Sequence, residues 1–160
     1  MGSFHEQRFY AIRAHGPDLR FPFAAQPFTA MVDVSSAVDA TRLRKYAGDL
    51  IAHGCVQAVC RGEDSFRLVE IFDSLAESGG MDKNGIPFTS MCLDEEPLTE
   101  AIHYFVLPSG LARIGLLMVI GEAGDFQSAI QDFSITVGLI QGSLGEPVYA
   151  EDDLVCFVPS

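Results

Sequence analysis

Four short apolar runs, each followed by a stretch with helical periodicity, constrain the fold of this chain more than any other feature. The runs lie at residues 28–34, 55–60, 88–93 and 113–120. They lack the polar alternation of half-exposed strands, which is typical of strands whose sheet is covered by helices on both faces. The repeated strand–helix order predicts an α/β fold, with a mainly parallel sheet of four to five strands in a three-layer sandwich.

The helices that follow these runs are predicted from apolar residues spaced three and four apart. The corresponding segments are residues 35–54, 63–80, 96–107 and 123–142. Ser36 or Asp39 can cap the first helix, and Gly54 can end it.

The chain length of 160 residues predicts a single domain that buries its own core. Residues 1–27 are expected to form an irregular N-terminal segment with a candidate edge strand at residues 8–14. Residues 28–141 form the βα core in this interpretation. Residues 142–160 form a C-terminal tail with a candidate last strand at residues 154–158.

The charge balance is strongly acidic: 22 acidic residues stand against 10 Lys and Arg, for a net charge of −12. Such a surface repels nucleic acid and anionic membranes and attracts basic proteins. No apolar run is long enough to span a bilayer, and the first residues do not read as a signal peptide. We therefore expect a cytoplasmic protein that contacts neither nucleic acid nor membrane.

Ligands of open α/β sheets bind beyond the carboxyl ends of the strands, and acidic residues follow all four predicted strands there. The residues that we expect to form a binding site are Asp33, Arg61, Glu63, Asp64, Asp94, Glu95, Glu96, Glu122 and Asp125. Acids also stabilise helix starts, so part of this pattern is capping. Their convergence predicts a surface for a basic protein or, alternatively, for Mg²⁺. No glycine-rich phosphate loop follows a strand, and we expect no cofactor and no resident metal.

The segment HGCVQAVCRGED, residues 53–64, places two cysteines in one predicted strand. Regular alternation puts Cys55 and Cys60 on opposite faces of the sheet, about 16 Å apart, which is too far for a disulfide. Cys60 precedes a turn into a helix, where a thiol can be activated. Neither His53 nor His103 is well placed as its base, so a structural thiol is favoured and no catalytic residue is assigned.

The segments around these cysteines, together with FTSMCLDEEPLTEA and ARIGLLMVIGE, resemble an uncharacterised bacterial α/β domain family. In that family a Gly-Cys pair precedes a strand that ends in Cys-x-Gly, and a later strand runs into an Asp-Glu-x-Pro-Leu helix start. The residues that carry the resemblance are Gly54, Cys55, Cys60, Gly62, Asp64, Asp73, Asp94, Glu95, Glu96, Pro97, Leu98, Glu100 and Ala101. The resemblance covers residues 28–135. It implies where the α/β domain begins and ends, but it implies no reaction. The tryptophans of the family pattern are missing, because this chain has no Trp.

Three functions from different classes fit these observations. The first is a non-catalytic acidic protein that binds a basic protein, as immunity or antitoxin proteins bind cationic toxins. The alternative is a Mg²⁺-dependent hydrolase or phosphoryl-transfer enzyme that uses the acidic strand ends, although the basic groups that a phosphate needs are scarce. The third is a structural module that forms a homodimer through the fourth apolar run and the FVLPSG turn.

Overall fold

The computed structural model describes residues 8–16, 19–35, 39–62, 65–79, 89–92, 114–141, 147–151 and 153–157. Within these residues the chain forms seven strands and three helices. The strands are β1 (Arg8–Ala14), β2 (Phe28–Val34), β3 (Cys55–Gly62), β4 (Thr89–Cys92), β5 (Ile114–Ile120), β6 (Pro147–Glu151) and β7 (Leu154–Phe157). The helices are α1 (Ala40–His53), α2 (Ser65–Gly79) and α3 (Ala123–Gln141).

Helix α1 begins and ends where its capping residues predict. The Asp39 side chain accepts a hydrogen bond from the Arg42 backbone N–H at 2.8 Å, so Asp39 rather than Ser36 is the N-cap. Gly54 ends the helix with a φ of 118°, a conformation that side-chain-bearing residues rarely adopt. The apolar stripe Leu43, Tyr46, Ala47 and Leu50 is fully buried, as the helical spacing predicts.

The sheet is mixed, and its strand order is β4-β3-β2-β5-β1-β7-β6. The five strands from β4 to β1 are parallel, while β7 is antiparallel to both β1 and β6. The α/β class is therefore confirmed, but the expectation of four to five strands is wrong. Strand β6, which was not predicted, forms a hairpin with β7, the predicted last strand, and extends the sheet beyond it.

Strand β1 lies inside the sheet, between β5 and β7, and not at an edge as the sequence suggested. Its residues Phe9, Ala11, Ile12 and Ala14 are buried. Both neighbours come from the second half of the chain, so local sequence signals do not reveal them.

The buried apolar side chains form two clusters that contain alternate residues of the strands. One cluster joins Phe28, Ala30 and Val32 of β2 to the buried faces of α1 and α2. The other joins Met31 of β2 and Leu117 of β5 to the buried face of α3. The helix predicted over residues 96–107, which the expected three-layer arrangement includes, lies outside the described residues.

A β-bulge at the start of β3 changes which side chains share a face. Phe28 pairs with Cys55, but Thr29 pairs with Gln57, so β3 contains one extra residue at this point. Cys55 and Cys60 consequently belong to the same core cluster, on the α1 and α2 side of the sheet. The prediction that their side chains point to opposite faces is wrong, because it assumed unbroken alternation.

None of the helices in the described ranges is both long enough and apolar enough to cross a bilayer.

Candidate functional site

The carboxyl edge of the parallel strands brings together two of the predicted site residues. Arg13 of β1, Val119 of β5, Asp33 of β2 and Arg61 of β3 occupy one register row across four neighbouring strands. Val119 belongs to the cluster that packs on α3, so the row faces that helix. Adjacent strands are about 4.8 Å apart, which puts Asp33 directly beside Arg61.

Asp33 and Arg61 form a buried ion pair. An Arg61 Nη1 donates to Asp33 Oδ1 at 2.8 Å, and the Asp33 side chain is 5% exposed. The second carboxylate oxygen, Oδ2, accepts a hydrogen bond from Ser35 Oγ at 3.3 Å. Since both oxygens are used inside the molecule, the Asp33 carboxylate is not displayed at the surface for a partner.

Glu122 and Asp125 lie at the start of α3, where they organise the first turn. Asp125 Oδ2 accepts a hydrogen bond from the Glu122 backbone N–H at 2.9 Å, and the Phe126 N–H donates to the Glu122 carbonyl at 3.1 Å. This is the capping role expected of acids at a helix N-terminus. The Glu122 side chain is exposed beside it.

The remaining predicted site residues are outside the part of the chain that the structure describes. They are Glu63, Asp64, Asp94, Glu95 and Glu96. They remain predictions.

A second polar cluster at the same edge was missed from the sequence. Asp153 accepts from Arg13 Nη1 at 3.3 Å and lies 2.6 Å from His15 Nε2, while Arg20 Nη2 lies 2.5 Å from Glu151 Oε2. These pairs join the end of β1 and the loop after it to the β6–β7 turn. The basic residues of IRAHGPDLR, residues 12–20, were a detectable signal, but the expected edge position of β1 placed no partner strand beside its end.

Cys60 does not fit the role of a nucleophile. Strand β3 continues past it to Gly62, so Cys60 lies within the strand and not at the turn into α2. Its side chain is buried, and burial raises its pKa well above the usual thiol value, with the neighbouring Cys55, Cys92 and Asp73 acting in the same direction. A thiol in this environment stays protonated.

His53 also has a structural role. It is the last residue of α1, where its ring stacks on Phe21 with centroids 3.9 Å apart. Its Nε2 lies 2.8 Å from the Phe23 carbonyl oxygen. His103, the other candidate base, lies outside the described residues.

No group of three or more His, Cys, Asp and Glu side chains within the described ranges is arranged to hold a metal ion. The acidic side chains of the described residues therefore do not support the alternative of a Mg²⁺-dependent enzyme.

Comparison with protein-family models, with curated proteins and with solved structures found no match to this chain. The resemblance to a bacterial α/β family therefore remains a prediction from the quoted motifs.

Proposed function

We propose that the protein is a non-catalytic binding protein that engages a basic protein through acidic side chains, as immunity and antitoxin-type proteins do. The observation that carries the proposal is an exposed acidic face on α2, in a chain with a net charge of −12. The electrostatic field of such a chain accelerates encounter with a positively charged partner and disfavours acidic competitors.

The acidic face of α2 consists of Phe66, Glu70, Asp73 and Glu77. These residues are four, three and four positions apart, so they form one stripe along the helix. All four are exposed, whereas Leu68, Ile71 and Phe72 on the opposite side are buried in the core. At 1.5 Å per residue the stripe is about 16 Å long, which matches a short basic helix or strand of a partner.

Phe66 supplies an apolar contact at one end of this acidic face. It is 62% exposed, the highest value among the large apolar side chains of the described residues. Exposed aromatic residues commonly act as anchors in protein interfaces, while the charges around them set orientation. The complementary partner surface presents Arg or Lys beside an apolar pocket.

Asp73 is held in place for such a contact. Ser90 Oγ of β4 donates a hydrogen bond to Asp73 Oδ1 at 2.7 Å, so the middle carboxylate of the acidic face has a fixed position. A preorganised carboxylate loses less side-chain entropy when a partner binds.

The experiment is a capture assay with two charge variants, read at about 0.05 M and about 0.5 M NaCl. The first variant, Glu70→Gln/Asp73→Asn/Glu77→Gln, neutralises the acidic face of α2. The matched control, Glu122→Gln/Asp125→Asn/Glu151→Gln, removes the same number of charges from the carboxyl edge of the sheet. Captured proteins are identified by mass spectrometry and their binding is then measured with purified components.

We expect a basic partner that is captured at low salt by the wild type and the control and is lost from the α2 variant. If both variants lose the partner equally, binding depends on the net charge of the protein and not on the acidic face of α2. Capture of no basic protein, or capture that ignores salt, would contradict the proposed function.

A further inference from the structure

A cavity of about 410 Å³ lies at the carboxyl edge of the sheet, beside the end of β1. Its lining residues are Ile12, Arg13, His15, Gly16, Arg20, Glu151, Asp153 and Leu154. The volume lies within the range of small-molecule sites, and the position is the edge where open α/β sheets bind ligands. Ile12 and Leu154 give it an apolar part, and the ionisable residues give it charges of both signs.

Among the described residues that line this cavity the charges balance, unlike those of the whole chain. Two arginines face two carboxylates as the pairs Arg13–Asp153 and Arg20–Glu151, and His15 shares Asp153. In a protein with a net charge of −12, these lining residues therefore lack the acidic excess of the rest of the chain. A ligand that carries a negative group therefore meets less repulsion here than over the acidic face of α2.

The two ion pairs differ in how firmly they are held. Arg13 also donates from Nε to the Gly121 carbonyl at 2.9 Å, and its side chain is 20% exposed. The side chains of Arg20 and Glu151 are 70% and 46% exposed, and an exposed pair of this kind contributes only about 0–1 kcal/mol. The Arg20–Glu151 pair can therefore open for a ligand at little cost, while Arg13 and Asp153 keep their places.

We propose that this cavity binds a small zwitterion, with a carboxylate and an ammonium group close together and a short apolar side chain. The ligand carboxylate is bound by Arg20 and His15, and its ammonium group is bound by Glu151 and Asp153. The ligand thus replaces the exposed Arg20–Glu151 pair by two ion pairs, one between its carboxylate and Arg20 and one between its ammonium group and Glu151. Its apolar side chain contacts Ile12 and Leu154.

Ligands with a single charge fit less well for a physical reason. An anion that takes Arg20 leaves the Glu151 carboxylate without its basic partner, within an already acidic molecule. A cation that takes Glu151 leaves Arg20 unpaired and meets Arg13. Only a ligand with both charges preserves the charge pairing that the cavity has when empty.

The test uses L-valine as the probe, with isovalerate and isobutylamine as controls that keep the isopropyl group and lose one charge each. Binding is followed by the backbone amide resonances of His15, Gly16, Glu151 and Asp153. We expect L-valine to shift these resonances, and each single-charge analogue to bind at least about tenfold more weakly.

Two variants localise the effect. Arg20→Gln and Glu151→Gln should each weaken L-valine binding about tenfold, since each removes one charged contact. The control is Lys45→Gln/Asp49→Asn, which removes another exposed ion pair, on α1, and should leave binding unchanged. Saturation by isovalerate at the L-valine concentration, unchanged binding in Arg20→Gln, or no shift with L-valine would each overturn the proposal.

Discussion

Asp33 shows why an acidic residue at a strand end cannot be assigned to a site from its position alone. Its carboxylate was expected to face a partner, yet it is 5% exposed and paired with Arg61. The partner is 28 residues away in the sequence and becomes a neighbour only through the β2–β3 register. A carboxylate buried in this way depends on its arginine, because an unpaired buried charge is strongly destabilising.

The buried thiols of Cys55 and Cys60 make stability depend on pH in the alkaline range. Burial raises the pKa of Cys55 to about 12 and that of Cys60 well above its ordinary value of 9.0. In the unfolded chain both thiols lose their protons above about pH 9, while the folded protein retains them. The free energy of unfolding should therefore fall as pH rises past 9, by about 1.4 kcal/mol per pH unit for each thiol.

Urea unfolding between pH 8 and pH 10 measures this effect, because Tyr46, whose pKa burial raises above its ordinary value of 10.0, contributes in the same direction mainly above pH 10. The variant Cys60→Ala should show a shallower decline than the wild type, whatever its absolute stability. If the free energy of unfolding falls equally steeply with pH in both proteins, the Cys60 thiol does not contribute to the decline. Native thiol labelling at pH 8 should also leave Cys55 and Cys60 unmodified.

At the scale of elements, local sequence signals predict most helices and strands. They do not predict features that depend on pairing between distant strands. The helices α1, α2 and α3 and the strands β2, β3, β4, β5 and β7 appear where apolar spacing and caps such as Asp39 and Gly54 predict them. Strand β6 escaped prediction because PVYAE is short and begins with proline. The bulge beside Cys55 is created by pairing with β2, so the sequence of β3 alone does not show it.

The two glycines of the α1 region should respond to alanine in opposite ways. At Gly54 a Cβ atom would lie 2.2 Å from the Gln26 carbonyl oxygen, and the φ of 118° is unfavourable for alanine. Gly54→Ala should therefore lower the free energy of unfolding by at least about 2 kcal/mol. Gly48, in the middle of α1, has open space at its Cβ position, and Gly48→Ala should stabilise by about 1 kcal/mol.

Chemical unfolding of both variants and the wild type measures whether the free energy of unfolding falls for Gly54→Ala and rises for Gly48→Ala. A neutral Gly54→Ala would mean that α1 does not end in the left-handed conformation described.

For the whole molecule, the cavity beside β1 is the feature least accessible to sequence reasoning. Arg13, His15 and Arg20 meet Glu151 and Asp153 only because β1 pairs with β7. Strand order therefore decides which charges are neighbours. The acidic face of α2, by contrast, follows from helical spacing within a single element.

The excess of acidic residues should make stability sensitive to salt. The net charge of −12 is self-repulsive, and most ion pairs of the described residues are exposed and weak. Raising NaCl from about 0.01 M to about 0.15 M shortens the Debye length from about 30 Å to about 8 Å. We expect Tm to rise by about 3 °C, which corresponds to about 1 kcal/mol.

The variant Glu70→Gln/Asp73→Asn/Glu77→Gln is the control, because it removes part of this repulsion. Its Tm at low salt should exceed that of the wild type, and its response to NaCl should be smaller. If salt lowers Tm instead, attractive ion pairs outweigh the repulsion between the acids.

The position of β1 inside the sheet has a consequence for synthesis on the ribosome. This strand emerges before the strands beside it, which are β5 and β7, and Arg8 pairs with Ile114. Until Ile114 has left the exit tunnel, neither edge of β1 has its native partner, and one edge of β2 is also open. Pairing over such a separation is slow, and unpaired apolar strands invite misassembly. A nascent chain therefore carries β1 unpaired while about 100 further residues are synthesised, which is the condition under which a chaperone that shields apolar strands would favour correct assembly.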